Sequence, residues 1–358
     1  MRESKSNKIA VAMSGGVDSS VVAVLLQQQG HEIAGFTMVQ YDDKEFGYEP
    51  NEGSIAAAAD AKTICDMLKI EHHIIDVREE FRRVVLNDFI EQYKNGKTPN
   101  PCTLCNPTIK WGAFFEAIKE FGYEYMATGH YVKLLQEEDR PHMFRADNSK
   151  DQTYMLWGLS KEQLAYTIFP LYELDKSQVR EIATKNNLFV ADKKDSQEIC
   201  FIKGHYLDFV NEIAPPKPGN IRFLATNEVI GKHHGLTAYT IGQRKGLQTS
   251  MNVTLYVHSL DIKENTLYVT DNRQDLKASS FTIKDINLYV KSIDELLKGN
   301  VQIRYNSKAV IIKNIVQEDN QLTIYPENPI ESVTPGQSAV FYSAENELLG
   351  GGVIVNYS

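Results

Sequence analysis

The sequence predicts an α/β protein, with a parallel sheet and helical crossovers in its first part and smaller β-rich parts after it. Three observations carry this expectation. An apolar run, Ile9-Ala10-Val11-Ala12-Met13, passes through Ser14-Gly15-Gly16-Val17-Asp18-Ser19-Ser20 into Val21-Val22-Ala23-Val24-Leu25-Leu26, which reads as strand, tight turn and helix start. Apolar runs then alternate with helix-length segments to about residue 130, and strands separated by helices pair in parallel through crossovers. Beyond about Gly204 the pattern shifts to short β-rich runs broken by turn residues.

In chain order, the first helix stops near Gln29-Gly30, and Ile33 to Met38 forms the second strand. Tyr41 to Gly53 is acidic, aromatic and aperiodic, so it reads as a loop. Ser54 to Leu68 is Ala-rich and helical, with Ser54 as N-cap. His73 to Val77 is a third strand, Glu79 to Tyr93 a third helix, and Tyr125 to Thr128 a short buried strand entering Gly129-His130. Ligands gather at the carboxyl ends of such strands, where Ser14 to Ser20, Met38 and Gly129 fall. Pro215-Pro216-Lys217-Pro218-Gly219 is a stiff connector. The runs around 255–257, 267–269, 309–312, 322–325 and 339–342 predict one or two small antiparallel barrels. Domains are accordingly expected over 1–204, 205–275 and 276–358.

With 358 residues, 42% hydrophobic and 24% charged, the chain is long enough for several folded cores and unlike a disordered one. It has no apolar run of membrane-spanning length and begins with a short polar stretch, from which a cytoplasmic location is expected. A net charge of −9 argues against indiscriminate nucleic-acid binding but permits one local basic face. The four cysteines, Cys65, Cys102, Cys105 and Cys200, are too few and scattered for a disulfide framework.

The glycine turn presents backbone N–H groups, close backbone approach and a helix N-terminus, a setting for phosphate. No Lys follows the glycines in the Walker order, which disfavours the usual nucleotide-triphosphatase loop. Cys102 and Cys105 form a lone C-x-x-C in a Pro-rich segment, equally suited to half a zinc site or a redox pair. Cys200 follows the basic pair Lys193-Lys194, and nearby positive charge is expected to raise its thiolate fraction. Cys65 lies in an apolar-periodic helix and reads as a small buried hydrophobe.

Taken together, Ser14 to Ser20, Thr98-Pro-Asn-Pro-Cys-Thr-Leu-Cys-Asn106 with Ile109-Lys110, Ala127 to Tyr131, Lys150 to Tyr154 and Lys193 to Ile202 resemble the bacterial tRNA-specific 2-thiouridylases. The likeness continues through Gly235 to Leu247, Arg304-Tyr305 and Thr334 to Gln337, and so spans almost the whole chain. The resemblance implies an ATP-pyrophosphatase α/β domain, a small central domain and a C-terminal β-barrel. It also implies a reaction in which sulfur replaces the C2 oxygen of the wobble uridine of tRNA. ATP would adenylate that oxygen, and Mg²⁺ would neutralise the phosphates.

By the same resemblance Cys200 carries sulfur as a persulfide from a donor protein, and Cys105 is the nucleophile that frees it or pairs with Cys200 in a disulfide. Ala12, Met13, Ser14, Gly15, Gly16, Val17, Asp18, Ser19, Met38 and Gly129 fall on the nucleotide. Asn100, Pro101 and Cys102 fall on the target base, and His130, Lys150, Asp151, Gln152, Arg304, Tyr305 and Gln337 on the tRNA. Many relatives carry Asp where this chain has Cys102, so an iron–sulfur cluster on Cys102, Cys105 and Cys200 is the alternative. No membrane or DNA partner is expected. Two other classes compete: an adenylating ligase that needs neither Cys105 nor Cys200, and a zinc-stapled RNA-binding module without ATP turnover.

Overall fold

The computed structural model describes residues 8–47, 49, 52–138, 140–146, 150–193, 199–202, 206–213 and 215–358. Lys194 and most of the motif that precedes Cys200 therefore lie outside the described residues. The chain divides into two compact units. One comprises residues 1–85, 102–203 and 345–348, the other 86–101, 204–344 and 349–358.

The first unit is built on a parallel sheet. Its strands are β1 (Lys8–Ala12), β2 (Glu32–Val39), β3 (His72–Asp76), β4 (Tyr125–Ala127) and, after the hairpin of β5 (Val132–Gln136) and β6 (Pro141–Arg145), the short β7 (Thr167–Ile168). Their spatial order is β3-β2-β1-β4-β7, with every pair parallel. The order reverses between β1 and β4, and ligand crevices open at such a reversal, beyond the carboxyl ends of the strands. The residues there are the Ser14 loop and Gly129-His130. Ile9, Val11, Val21, Val24 and Leu26 are buried in one core with Ala61, Ile64 and Cys65. A central parallel strand covered on both faces must be apolar throughout, which is why β1 does not alternate.

Two local readings are corrected. Helix α2 (Gly53–Leu68) has Glu52 at its N-cap position without a side-chain cap. Ser54 does not cap it; buried Asp43, from the preceding loop, accepts the Ser54 and Ile55 backbone N–H groups at 2.8 Å each. A carboxylate suits this helix end because it meets both orphan donors and the positive dipole. The helix expected over Glu79 to Tyr93 is a composite, with a π-helical stretch at Arg82–Leu86 between the α-helices Arg78–Phe81 and Asn87–Lys94.

The second unit is β-rich. Strands Gly219–Phe223, Val229–His233, Tyr256–Asp261 and Thr266–Thr270 form a four-stranded sheet in which 219–223 and 266–270 run parallel. This small β-rich part is a mixed sheet, so among the described residues one of the one or two antiparallel barrels expected is closed. The strands from Phe281–Leu288 to Leu348–Tyr357 close a six-stranded barrel, the first pairing antiparallel with the last. Phe281, Ile283, Val301, Leu322, Ile324, Phe341 and Ile354 fill it. Residues 86–101 belong to this unit, anchored at Thr98, whose N–H donates to Pro335 O at 3.0 Å and whose carbonyl accepts Gln337 Nε2 at 2.7 Å.

Candidate functional site

The loop between β1 and α1 (Val17–Gln28) has the geometry that its glycines require. Gly15 sits at φ +66, and a Cβ there would lie 2.4 Å from Ala57 O, so only glycine fits against α2. Gly16 is extended and caps α1 without any side-chain hydrogen bond, leaving the first N–H groups of the helix as donors. Not every serine adds a donor, however. Ser20 is fully buried and its hydroxyl donates to Gly16 O at 2.7 Å, while Ser19 Oγ accepts the Ser14 N–H at 3.2 Å. Ser14 is the exposed member.

Four neighbours brace the loop. Asp18 accepts Tyr131 Oη at 2.7 Å and Lys176 Nζ at 2.7 and 2.8 Å. Lys193 Nζ donates to Gly15 O at 2.9 Å and to Asp60 at 2.6 Å. Gly129 packs so closely that a Cβ would stand 2.9 Å from Asp18 Cβ and 3.0 Å from Ser19 N. Ala12 ends β1, the Met13 side chain is core, and Met38 is half-buried near the carboxyl end of β2.

The thiols form the second part of the site. Cys102 and Cys105 lie on the helix Pro101–Cys105, which continues as a π-helical segment, Asn106–Phe114. Sequence reading saw only a restricted Pro-rich segment here. Pro107 lacks an N–H and its ring crowds the carbonyl one turn back, so the helix widens. The widened turn is secured by side chains. Thr108 Oγ1 donates to Leu104 O at 2.7 Å, and Gln163 Nε2 donates to the Pro107 and Trp111 carbonyls at 2.8 and 3.0 Å. Cys200 is tied down by Tyr41, whose hydroxyl donates to its carbonyl at 2.7 Å, and its neighbour Phe201 packs on Phe46 and Phe81. The loop Tyr41 to Gly53, aperiodic in sequence, thus holds the Cys200 backbone.

Charge at the thiols differs from expectation. Burial pushes Cys105 up to about 12 and raises Cys102 as well. Crowding also pushes Cys200 up to about 12, followed by the nearby Cys105 and Cys102. The Cys200 residue is exposed to solvent, which makes it the most reachable of the three thiols. Lys193 was expected to lower the Cys200 thiol, but it is engaged by Gly15 and Asp60. The cation opposing burial at all three thiols is Lys110. Cys65 is the buried small hydrophobe expected, 0% exposed and also pushed up to about 12 by burial.

The remaining candidates are mostly occupied internally. His130 accepts or donates at Nδ1 with Thr128 Oγ1 at 2.8 Å, beside Trp111 and Phe169; burial, then Lys110, takes it down to about 3, so it is neutral at pH 7. Asp151 accepts the Thr153 and Ala146 N–H groups, and Gln152 Oε1 accepts the Tyr131 N–H at 3.1 Å. Lys150 is half-buried beside them. In the second unit, Arg304 Nη2 donates to Ile241 O, Ser332 O and Thr334 Oγ1, and Tyr305 is 37% exposed. Asn100 and Pro101 end the strap carrying Thr98, and Gln337 is spent on Thr98. Among the described residues no three His, Cys, Asp or Glu side chains converge to hold a metal ion, so Cys102, Cys105 and Cys200 do not form a ready cluster ligand set.

Three family models match in succession: the tRNA methyl transferase HUP domain over residues 7–204, the tRNA methyl transferase PRC-barrel domain over 207–271, and the aminomethyltransferase beta-barrel domain over 278–354. The tRNA-specific 2-thiouridylase MnmA of Natranaerobius thermophilus is 40% identical over 98% of both chains, and that of Carboxydothermus hydrogenoformans 42% identical over 97% of both. The chain belongs to the tRNA-specific 2-thiouridylase family. Among solved structures, the U34-tRNA thiolase NcsA from Methanococcus maripaludis shares 19% identity over 59% of this chain and 66% of that one, at a TM-score of 0.35, too partial a likeness to bear on activity.

For a 2-thiouridylase-family chain, the residues that sequence reading missed are Tyr41, Asp43, Gln163 and Lys176. None stands in a motif; Tyr41, Gln163 and Lys176 each act on a segment distant in sequence, and Asp43 on the helix that follows its own loop. Only their side-chain chemistry could have flagged them.

Proposed function

We propose that this protein carries out ATP-dependent 2-thiolation of the wobble uridine of tRNA. The observation that carries the reading is that thiols from two segments nearly a hundred residues apart lie close enough to feel one another's charge, in the unit that also holds an uncapped glycine loop. A uracil C2 oxygen is a poor leaving group; adenylation turns it into AMP and releases pyrophosphate. The backbone N–H groups of Gly15 to Ser19 suit that pyrophosphate, with Ala12, Met13, Met38 and Gly129 around the nucleotide and Mg²⁺ carried on the phosphates. Asn100, Pro101 and Cys102 would grip the base. His130, Lys150, Asp151, Gln152, Arg304, Tyr305 and Gln337 would form or support the tRNA surface, several by holding loops. The domains proposed are 1–204, 205–275 and 276–358, in a cytoplasmic protein.

Sulfur enters as a Cys200 persulfide loaded by a donor protein. Its terminal sulfur bonds to C2 as AMP leaves with the oxygen. The Cys105 thiolate then attacks Cys200 Sγ, the bond to the transferred sulfur breaks, and its electron pair stays on that sulfur as C2=S forms. The two cysteines end as a disulfide, which a cellular dithiol must reduce before the next turn. The methyl-transfer label of the family models is less apt, since methyl transfer needs no such thiol pair. The test is incubation with unmodified tRNA, ATP, Mg²⁺ and a persulfide source, followed by nucleoside analysis. 2-Thiouridine with AMP is expected; ATP turnover that yields no thiolated nucleoside would refute the reading.

A further inference from the structure

The sulfur relay just described needs a thiolate at Cys105, yet its surroundings favour the neutral thiol. Resting on that reading, we propose that Lys110 is the cation that holds the sulfur anions formed at Cys105 and Cys200 during transfer. In a regular α-helix, five residues place Lys110 about 140° around the axis from Cys105. A π-helical segment turns roughly 80° per residue, which narrows that angle to about 50° and brings Lys110 almost in line with Cys102. Pro107, Thr108 and Gln163 specify this widened turn, as described above, so the register is built into the fold.

The second observation is the company that Lys110 keeps. The titratable groups acting on Cys105 are Lys110 and Cys102, and those acting on Cys200 are Cys105, Cys102 and Lys110. His130, also facing Lys110, is neutral and cannot substitute as a cation. No carboxylate among the described residues pairs with Lys110, whereas Lys176 and Lys193 are committed to Asp18 and Asp60. An ammonium with no carboxylate partner among the described residues, set near weakly acidic thiols, favours their anions and disfavours further cations. The Cys200 persulfide anion before its terminal sulfur bonds to C2, and the Cys105 thiolate before it attacks Cys200 Sγ, meet a positive charge already in place and need no reorganisation.

The test uses the full-length protein and iodoacetamide, with alkylation of Cys105 and Cys200 quantified separately by peptide mass spectrometry from pH 6.5 to about 10.5. In K110Q the alkylation rate at pH 8 should fall about tenfold at Cys105, equivalent to one pH unit of upward displacement of the profile. K110R should restore it to within about threefold. Cys65, remote and buried, serves as the internal control. K110M, which keeps the apolar stem, replaces K110Q should the latter fail to fold. A K110Q or K110M profile superimposable on that of the parent overturns the proposal. Failure of the relay reads out differently, as a C105S protein that still makes 2-thiouridine.

Discussion

The glycine loop and the thiol cluster lie in one unit but are made in opposite ways. The loop draws its chemistry from backbone N–H groups at the start of α1, and its side chains are largely spent on holding it: Ser20 on Gly16, Asp18 on Tyr131 and Lys176. The thiol cluster draws its chemistry from side chains of remote segments, each raised away from its reactive form by burial. A backbone site is ready whenever the local fold forms. A side-chain site becomes reactive only when a charge, here Lys110, or a conformational step offsets desolvation.

Substitutions that separate adenylation from sulfur transfer would sharpen this contrast. C105S should lower 2-thiouridine formation at least about a thousandfold while leaving first-turnover pyrophosphate release within about threefold. Equal loss of both, measured by pyrophosphate release and nucleoside analysis, would break the division into two sites. Gly15→Ala should do the reverse at the loop. The left-handed φ and the 2.4 Å approach to Ala57 O leave no room for a Cβ, so pyrophosphate release should drop about a hundredfold while persulfide loading of Cys200, followed by mass shift, continues. A G15A protein with parental ATP turnover would show that the loop does not hold the phosphates. The smallest effect is expected at His130. Its pKa is lowered to about 3, so the charged form appears only below that pH and the ring stays neutral from pH 5 to 8. Its imidazole proton NMR shifts should be flat over that range; a titration step near pH 6.5 would show that the ring is solvated.

Much of the first unit was legible from the chain. The parallel sheet followed from apolar runs set apart by helix lengths, and Gly15 and Gly16 marked a turn that few other residues can make. The second unit was less legible because short β-runs do not say which neighbour they join. The strands 219–223 and 266–270 pair in parallel across more than forty intervening residues, and no turn signal encodes that. The Pro-rich segment misled for a related reason. It read only as conformationally restricted, whereas the widened helix that follows it is held by Thr108 on the Leu104 carbonyl and by the distant Gln163 on the Pro107 and Trp111 carbonyls.

By itself the sequence determined the residue types that matter, namely a glycine turn able to bind an anion and three cysteines outside any disulfide framework. Only the tertiary structure decided their chemical state, because that depends on which groups meet across the fold. Lys193 turned to Gly15 and Asp60 instead of Cys200, Asp43 took the cap expected of Ser54, and crowding raised the one thiol, Cys200, that a basic sequence neighbourhood was expected to lower. Backbone conformation is set by short-range sterics and can be read locally. Desolvation and charge act through space and cannot.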